Sequence, residues 1–316
     1  MSTAKPEIPP MESFPPINVY PREAEIIKYC NNYVAEHFPF NNDAEVKHFN
    51  GMEIPAYACR VVSFARDHEK MRKVSILIVF YFIFDDWVDK NGMKLDKSTV
   101  MALLPPPSEV PIKPPQAGKM TLSDISAELY GAVRDDMPKA DYDRMVNDMM
   151  EYLRVQRMAP GYNTLQELLD LRSGEVGVYV LFRYIIYAME LSVSGKELDD
   201  PLVKRAQVLG SEAGVLRNEA SSYVKEVNEG SGAHNVITKL QEWSGCTEKE
   251  AMKQVLDAIE KRQEELREMC LKVTEAPHLS EDCKTFVKTI PYIVAGNTWW
   301  HHHSTRYAEG REVTVP

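Results

Sequence analysis

The 316-residue chain is 44% hydrophobic and 27% charged, ordinary proportions for a globular protein long enough to bury a sizeable core. A formal net charge of -10 argues against a nucleic-acid binder, which needs a basic face. Five cysteines without a CxxC pair favour reduced thiols, and the N-terminus lacks an apolar signal segment, so a cytoplasmic location is expected.

Residues 1–20 are proline-rich (Pro6, Pro9, Pro10, Pro15, Pro16) and are read as a tail without regular structure; residues 21–316 are read as one α-helical domain. Helical patterning starts near Glu23, and 53–66 and 68–90 form two more helices. Val74 to Phe84 is the longest apolar run. A buried strand is one reading of it, but the pattern continues without breakers from Glu69 to Asp89, too long for a typical strand. The run is also well short of the ~20 residues a membrane helix needs, so no stable membrane insertion is expected. Six prolines between 104 and 115 mark a loop. Further helices are expected at 121–136, 139–157, 163–173, 176–192, 200–229, 233–243, 248–274 and 280–308. The fold class is therefore all-α, a single helical bundle. Val176 to Leu191 is apolar nearly all round, as in a central helix. Gly174 and Gly177 at its start fit either a plain turn or a break that exposes backbone carbonyls.

Two oxygen-rich helix faces carry the chemistry. Asp85-Asp86-Trp87-Val88-Asp89 stands where the apolar run stops and puts Asp85 and Asp89 on one face. Asn218, Ser222 and Glu226 recur at intervals of four and share another. Oxygen ligands without thiolate or imidazole suit a hard cation such as Mg²⁺, which binds through few protein oxygens and uses substrate phosphates. If the two faces meet across an apolar cavity, the arrangement suits ionisation of a diphosphate: metals take the leaving anion and the cavity holds the carbocation. Asp135-Asp136, Asp199-Asp200 and Asn147-Asp148 fit no larger pattern, and the two aspartate pairs read as surface. His301-His302-His303 reads as neither tag nor metal site, because consecutive helical residues point in different directions.

From about residue 60 to Tyr307 the chain resembles the microbial class I terpene cyclases, of the sesquiterpene synthase type. In that family an aspartate-rich motif follows an aromatic-rich helix, as Phe82 precedes Asp85 here. Its second motif, N-D-x-x-S-x-x-K-E, reads N-E-A-S-S-Y-V-K-E from Asn218, with Glu219 in place of Asp at a position that is not a ligand. A diphosphate-sensing Arg stands 46 positions before the Asn in the family, which lands on Arg172, and an Arg-Tyr pair near the end matches Arg306-Tyr307. The resemblance implies a class I terpenoid synthase bundle around a central apolar cavity. It implies Mg²⁺ as cofactor, three ions with Mn²⁺ able to substitute. Asp85, Asn218, Ser222 and Glu226 would be metal ligands, with Asp86 and Asp89 behind them. Arg172, Lys225, Arg306 and Tyr307 would bind diphosphate. Phe82, Trp300, Trp299, Gly177 and Tyr179 are candidates for the cavity wall.

The expected reaction is loss of diphosphate from farnesyl diphosphate and cyclisation to a sesquiterpene. A diterpene cyclase using geranylgeranyl diphosphate is the nearest alternative. A chain-elongating prenyltransferase would want two aspartate-rich motifs, and a non-enzymatic helical interaction protein would use none of these residues. A prenyl diphosphate is the expected partner, with a homodimer as the open question of assembly.

Overall fold

The computed structural model describes residues 17–91, 103, 104, 106, 118–155, 162–175 and 177–310. Among them every regular element is a helix. The α-helices are α1 Glu23–His37, α2 Asp43–Gly51, α3 Ile54–Val61, α4 His68–Asn91, α5 Leu122–Arg134, α6 Lys139–Val155, α7 Leu165–Glu175, α8 Val178–Ala188, α9 Gly195–Leu198, α10 Pro201–Glu229, α11 Val236–Ser244, α12 Glu248–Glu275 and α13 Glu281–His303. Short 3-10 turns follow α10 (Gly232–His234) and α13 (Thr305–Gly310). No helix among the described residues is long and apolar enough to cross a membrane. The five cysteines are all free. Residues 1–16 of the expected proline-rich tail and most of the 104–115 loop lie outside the described residues.

Two compact units emerge from the packing. The first takes the described residues of 19–155 and 180–190. The helical pattern from Glu23 breaks at Phe38, which is extended (ψ 144) because Pro39 follows it. The chain restarts at Asn42, whose side chain accepts the Glu45 N–H at 3.0 Å and caps α2. Next, α3 is shorter than the expected 53–66, ending where Val62 leaves helical geometry. The Val74–Phe84 run is helical, and Val74 to Phe80 and Phe84 are buried. Every residue from Val180 to Ala188 is buried, as expected for a central helix, and the charge of Arg183 is met by Asp148 at 2.7 Å. The expected end at 192 is wrong by one turn, since α8 stops at Ala188 and Glu190 takes a left-handed φ of 55°.

The second unit takes residues 17, 18, 162–179 and 191–310 among those described. Its axis is α10, 29 residues and so about 43 Å long. Asp200 caps its start by accepting the Leu202 N–H at 2.9 Å, Pro201 fits the first turn, and Gly230 ends it at φ 78°. Asp200 is therefore structural, not the plain surface residue its sequence neighbourhood suggested. It also meets His278 at 2.9 Å. Asp200→Ala should lower stability by about 1–2 kcal/mol in urea unfolding, and an unchanged midpoint would rule out the cap. One side of α10 packs on α12 and α13. Leu168, Leu169, Val215, Leu216, Val236, Ile237, Val255 and Ile259, from α7, α10, α11 and α12, are buried in one apolar cluster, each contributing roughly 1.5–3 kcal/mol relative to exposure.

Helix α13 ends earlier than the expected 308. Ser304 is extended (ψ 139), so Arg306 and Tyr307 stand on the 3-10 turn and not on the helix.

Candidate active site

Asn218, Ser222 and Glu226 share the face of α10 that their spacing dictates. Asn218 donates both amide hydrogens: Nδ2 reaches the Tyr307 hydroxyl at 3.2 Å and His301 Nε2 at 3.3 Å. His301 can accept because its Nδ1 already faces the Asn297 carbonyl at 2.8 Å. Burial pushes its pKa down to about 3, so the ring is the neutral tautomer with a lone pair on Nε2. The ring stacks on Tyr307 with centroids 4.8 Å apart. With its nitrogen so committed, Asn218 is left with Oδ1 unbonded. Ser222 Oγ is buried and has no hydrogen-bond partner. Glu226 Oε2 accepts from Asn235 Nδ2 at 3.0 Å, and Oε1 is left over.

Three side chains spaced one turn apart thus each keep an oxygen without a protein partner. An orphaned buried hydroxyl costs roughly 1–3 kcal/mol unless a ligand uses it. This donor set of amide, hydroxyl and carboxylate oxygens fits a hard divalent cation. Among the described residues no group of three His, Cys, Asp or Glu side chains is placed to hold a metal; a cation at the triad would take two of its oxygens from neutral side chains.

Arg172, in the last turn of α7, pairs with the buried Glu219 through Nε at 3.0 Å and a terminal nitrogen at 2.6 Å. Both bonds fall on Oε1, while Oε2 accepts the Val236 N–H at 2.9 Å. Burial is the largest influence on Glu219 and raises its pKa, opposed by the Arg172 charge. The residue set aside as no ligand is thus the partner of the expected diphosphate sensor.

Lys225 is half-buried, 3.8 Å from Glu229. The Arg306 N–H donates to Ser304 Oγ at 3.1 Å. Trp300 is buried and meets Tyr307 edge-on at 5.5 Å, whereas Trp299 stacks on exposed His303 at 4.3 Å. Gly177 is buried with φ 65°, and Tyr179 is half-buried. In the first unit, Asp85 accepts from the Tyr152 hydroxyl at 2.5 Å. Burial holds the Tyr152 phenol far above its ordinary pKa, so it stays a donor. Asp86 is half-buried, and Phe82 meets Tyr57 edge-on at 5.7 Å. The Asp89 side chain lies outside the described residues.

The profile of terpene synthase family 2, C-terminal metal binding, matches residues 77–265. The chain belongs to that family. This terpene synthase, an enzyme of the lyase class, is 31% identical over 147 residues to the silphinene synthase of Penicillium patulum. That stretch covers 45% of this chain and 38% of the relative, less than half its length. It is 22% identical over 291 residues to a (-)-beta-caryophyllene synthase of Saccharothrix espanaensis, described as (2E,6E)-farnesyl diphosphate cyclizing, over 87% of this chain and 82% of that one. Among solved structures it is similar to the aristolochene synthase of Penicillium roqueforti, with a TM-score of 0.77 at 19% identity over 94% of this chain and 99% of that one. At that identity the likeness carries the fold alone, the all-α terpene synthase fold that the motifs implied.

Proposed function

We propose that this terpene synthase ionises farnesyl diphosphate with the help of Mg²⁺ and cyclises the resulting cation to a sesquiterpene hydrocarbon or alcohol. The observation that carries the reading is the row of three partner-free oxygens on α10, at Asn218, Ser222 and Glu226. Those residues would hold one Mg²⁺. Asp85, through its motif, would help hold further Mg²⁺, with Asp86 and Asp89 in support. Mg²⁺, when bound, supplies electrophilic stabilisation of the departing diphosphate.

The chain's own residues do the rest. Arg172, Lys225 and Arg306 donate charge-assisted hydrogen bonds to phosphate oxygens, and Tyr307 adds its phenol. The Asn218 hydrogen bond to Tyr307 ties that phenol to the triad. The candidate wall residues Phe82, Trp300, Trp299, Gly177 and Tyr179 would bind the hydrocarbon chain. Each aromatic face there offers a cation about 0.5–2 kcal/mol without acting as a nucleophile. Exclusion of water keeps the cation from being quenched. Use of farnesyl diphosphate is supported by the description of the caryophyllene-forming relative.

The test is incubation with farnesyl diphosphate and Mg²⁺, read by gas chromatography. A cyclic sesquiterpene is expected, reduced to background by EDTA and restored by excess Mg²⁺. Turnover of geranylgeranyl diphosphate alone would move the substrate to twenty carbons. Elongation with added isopentenyl diphosphate would move the enzyme to chain extension.

A further inference from the structure

Asn235 belongs to neither motif, yet it is buried and bonds α10 at both Glu219 and Glu226. Its Oδ1 accepts the Ile237 N–H at 2.9 Å, the capping bond of α11. That bond fixes which way the amide faces. Its Nδ2 then donates once to the Glu219 carbonyl, at 2.9 Å, and once to Glu226 Oε2, at 3.0 Å. The amide therefore has its cap acceptor and both donors engaged, and rotation would break all three bonds.

The chain between Glu226 and Asn235 is built for this approach. Gly230 turns it at φ 78°. Gly232 lies so close to α10 that a Cβ there would sit 2.8 Å from the Val227 side chain and 3.1 Å from its backbone. Only glycine lets the turn close this tightly. The next backbone amide after Asn235, that of Val236, donates to Glu219 Oε2. One short segment therefore grips Glu226 by its carboxylate and Glu219 by its carbonyl and its carboxylate.

We propose that Asn235 is a positioning residue for the metal triad: its amide, locked at the start of α11, orients the Glu226 carboxylate so that one oxygen is held and the other is offered to the cation. This rests on the reading of Asn218, Ser222 and Glu226 as a Mg²⁺ site. Outer partners that orient ligating carboxylates typically change metal affinity by roughly 10–100-fold when removed.

The test uses the full chain and calorimetric titration with inorganic diphosphate in the presence of Mg²⁺, and circular dichroism checks folding. Asn235→Ser keeps a capping oxygen but removes both donors. It is expected to weaken Mg²⁺-dependent diphosphate binding by roughly 10–100-fold, and to raise the Mg²⁺ concentration needed for half-maximal turnover more than it lowers kcat. In a Glu226→Gln background the same change should cost less than about threefold, because an Asn that acts through Glu226 has nothing further to lose. Should the serine variant fail to fold, Asn235→Thr, a second capping residue, carries the same expectation. Wild-type-like binding in a folded Asn235 variant would overturn the proposal alone, as would an equal loss in both backgrounds. A wild-type chain that binds no diphosphate with Mg²⁺ would overturn the site and the proposal together.

Discussion

Alanine at Asn218 or Glu226 is expected to lower turnover of farnesyl diphosphate by roughly a hundredfold or more, with unchanged helicity by circular dichroism. Each variant deletes one of the three partner-free oxygens of the triad, and Mg²⁺ has few protein ligands to lose. Asn218→Ala also strips the Tyr307 hydroxyl and His301 Nε2 of their shared donor, so it would loosen the proposed diphosphate contact as well. Ser222→Ala separates function from folding most cleanly. Its hydroxyl is buried and bonded to nothing in the protein, so its removal should leave the melting temperature unchanged or slightly raised. The same variant should nevertheless need more Mg²⁺ for half-maximal rate. Full activity in Asn218→Ala or Glu226→Ala would take the triad out of the mechanism, and an unchanged Mg²⁺ requirement in Ser222→Ala would remove that hydroxyl from it.

The largest expected stability loss lies on the same helix but away from the triad. Glu212, in α10, is almost wholly buried and is held by Arg262 of α12 at 2.6 Å and by Gln166 of α7 at 2.9 Å. Arg262 also donates to Gln166 at 3.2 Å, so the three side chains close a ring across three helices. Arg262→Met leaves a carboxylate out of water with one neutral donor. A loss of about 3–5 kcal/mol in denaturant unfolding is expected. The Arg262→Met, Glu212→Leu double variant should recover most of it, because replacing both charges with apolar groups removes the desolvation cost. A double variant no more stable than Arg262→Met would show that packing, and not the stranded charge, is at issue.

The helical class and most helix positions were legible because long amphipathic or uniformly apolar runs report burial directly, as in the segments that became α4, α8 and α10. The ends were less so. Nothing in the apolar pattern marks the stop at Ser304, which is made by backbone geometry, or the capping role of Asp200, which looks like any acidic surface pair until Pro201 is seen to start a helix. The triad was legible because a spacing of four is a property of the chain itself. Its support was not. Glu219 meets Arg172 across 47 positions, and Asn218 meets His301 across 83. Such pairings depend on which helices adjoin, and a buried neutral histidine looks the same in a sequence as an exposed one. Asn235 carried one faint local sign, a capping residue placed shortly after Gly230 and Gly232.

If Arg172 meets diphosphate as proposed, its pairing with Glu219 has a consequence for which anions it would accept. The guanidinium is not waiting bare; it is already answered by a carboxylate at 2.6 Å. A newcomer therefore gains only the difference between two ionic contacts. For a singly charged species such as acetate or chloride that difference is close to nothing. A multiply charged group, which can engage several cations at once, gains far more. Under the proposed diphosphate role of Arg172, the resident carboxylate would work as a threshold, letting weakly charged solutes pass without disturbing the arginine.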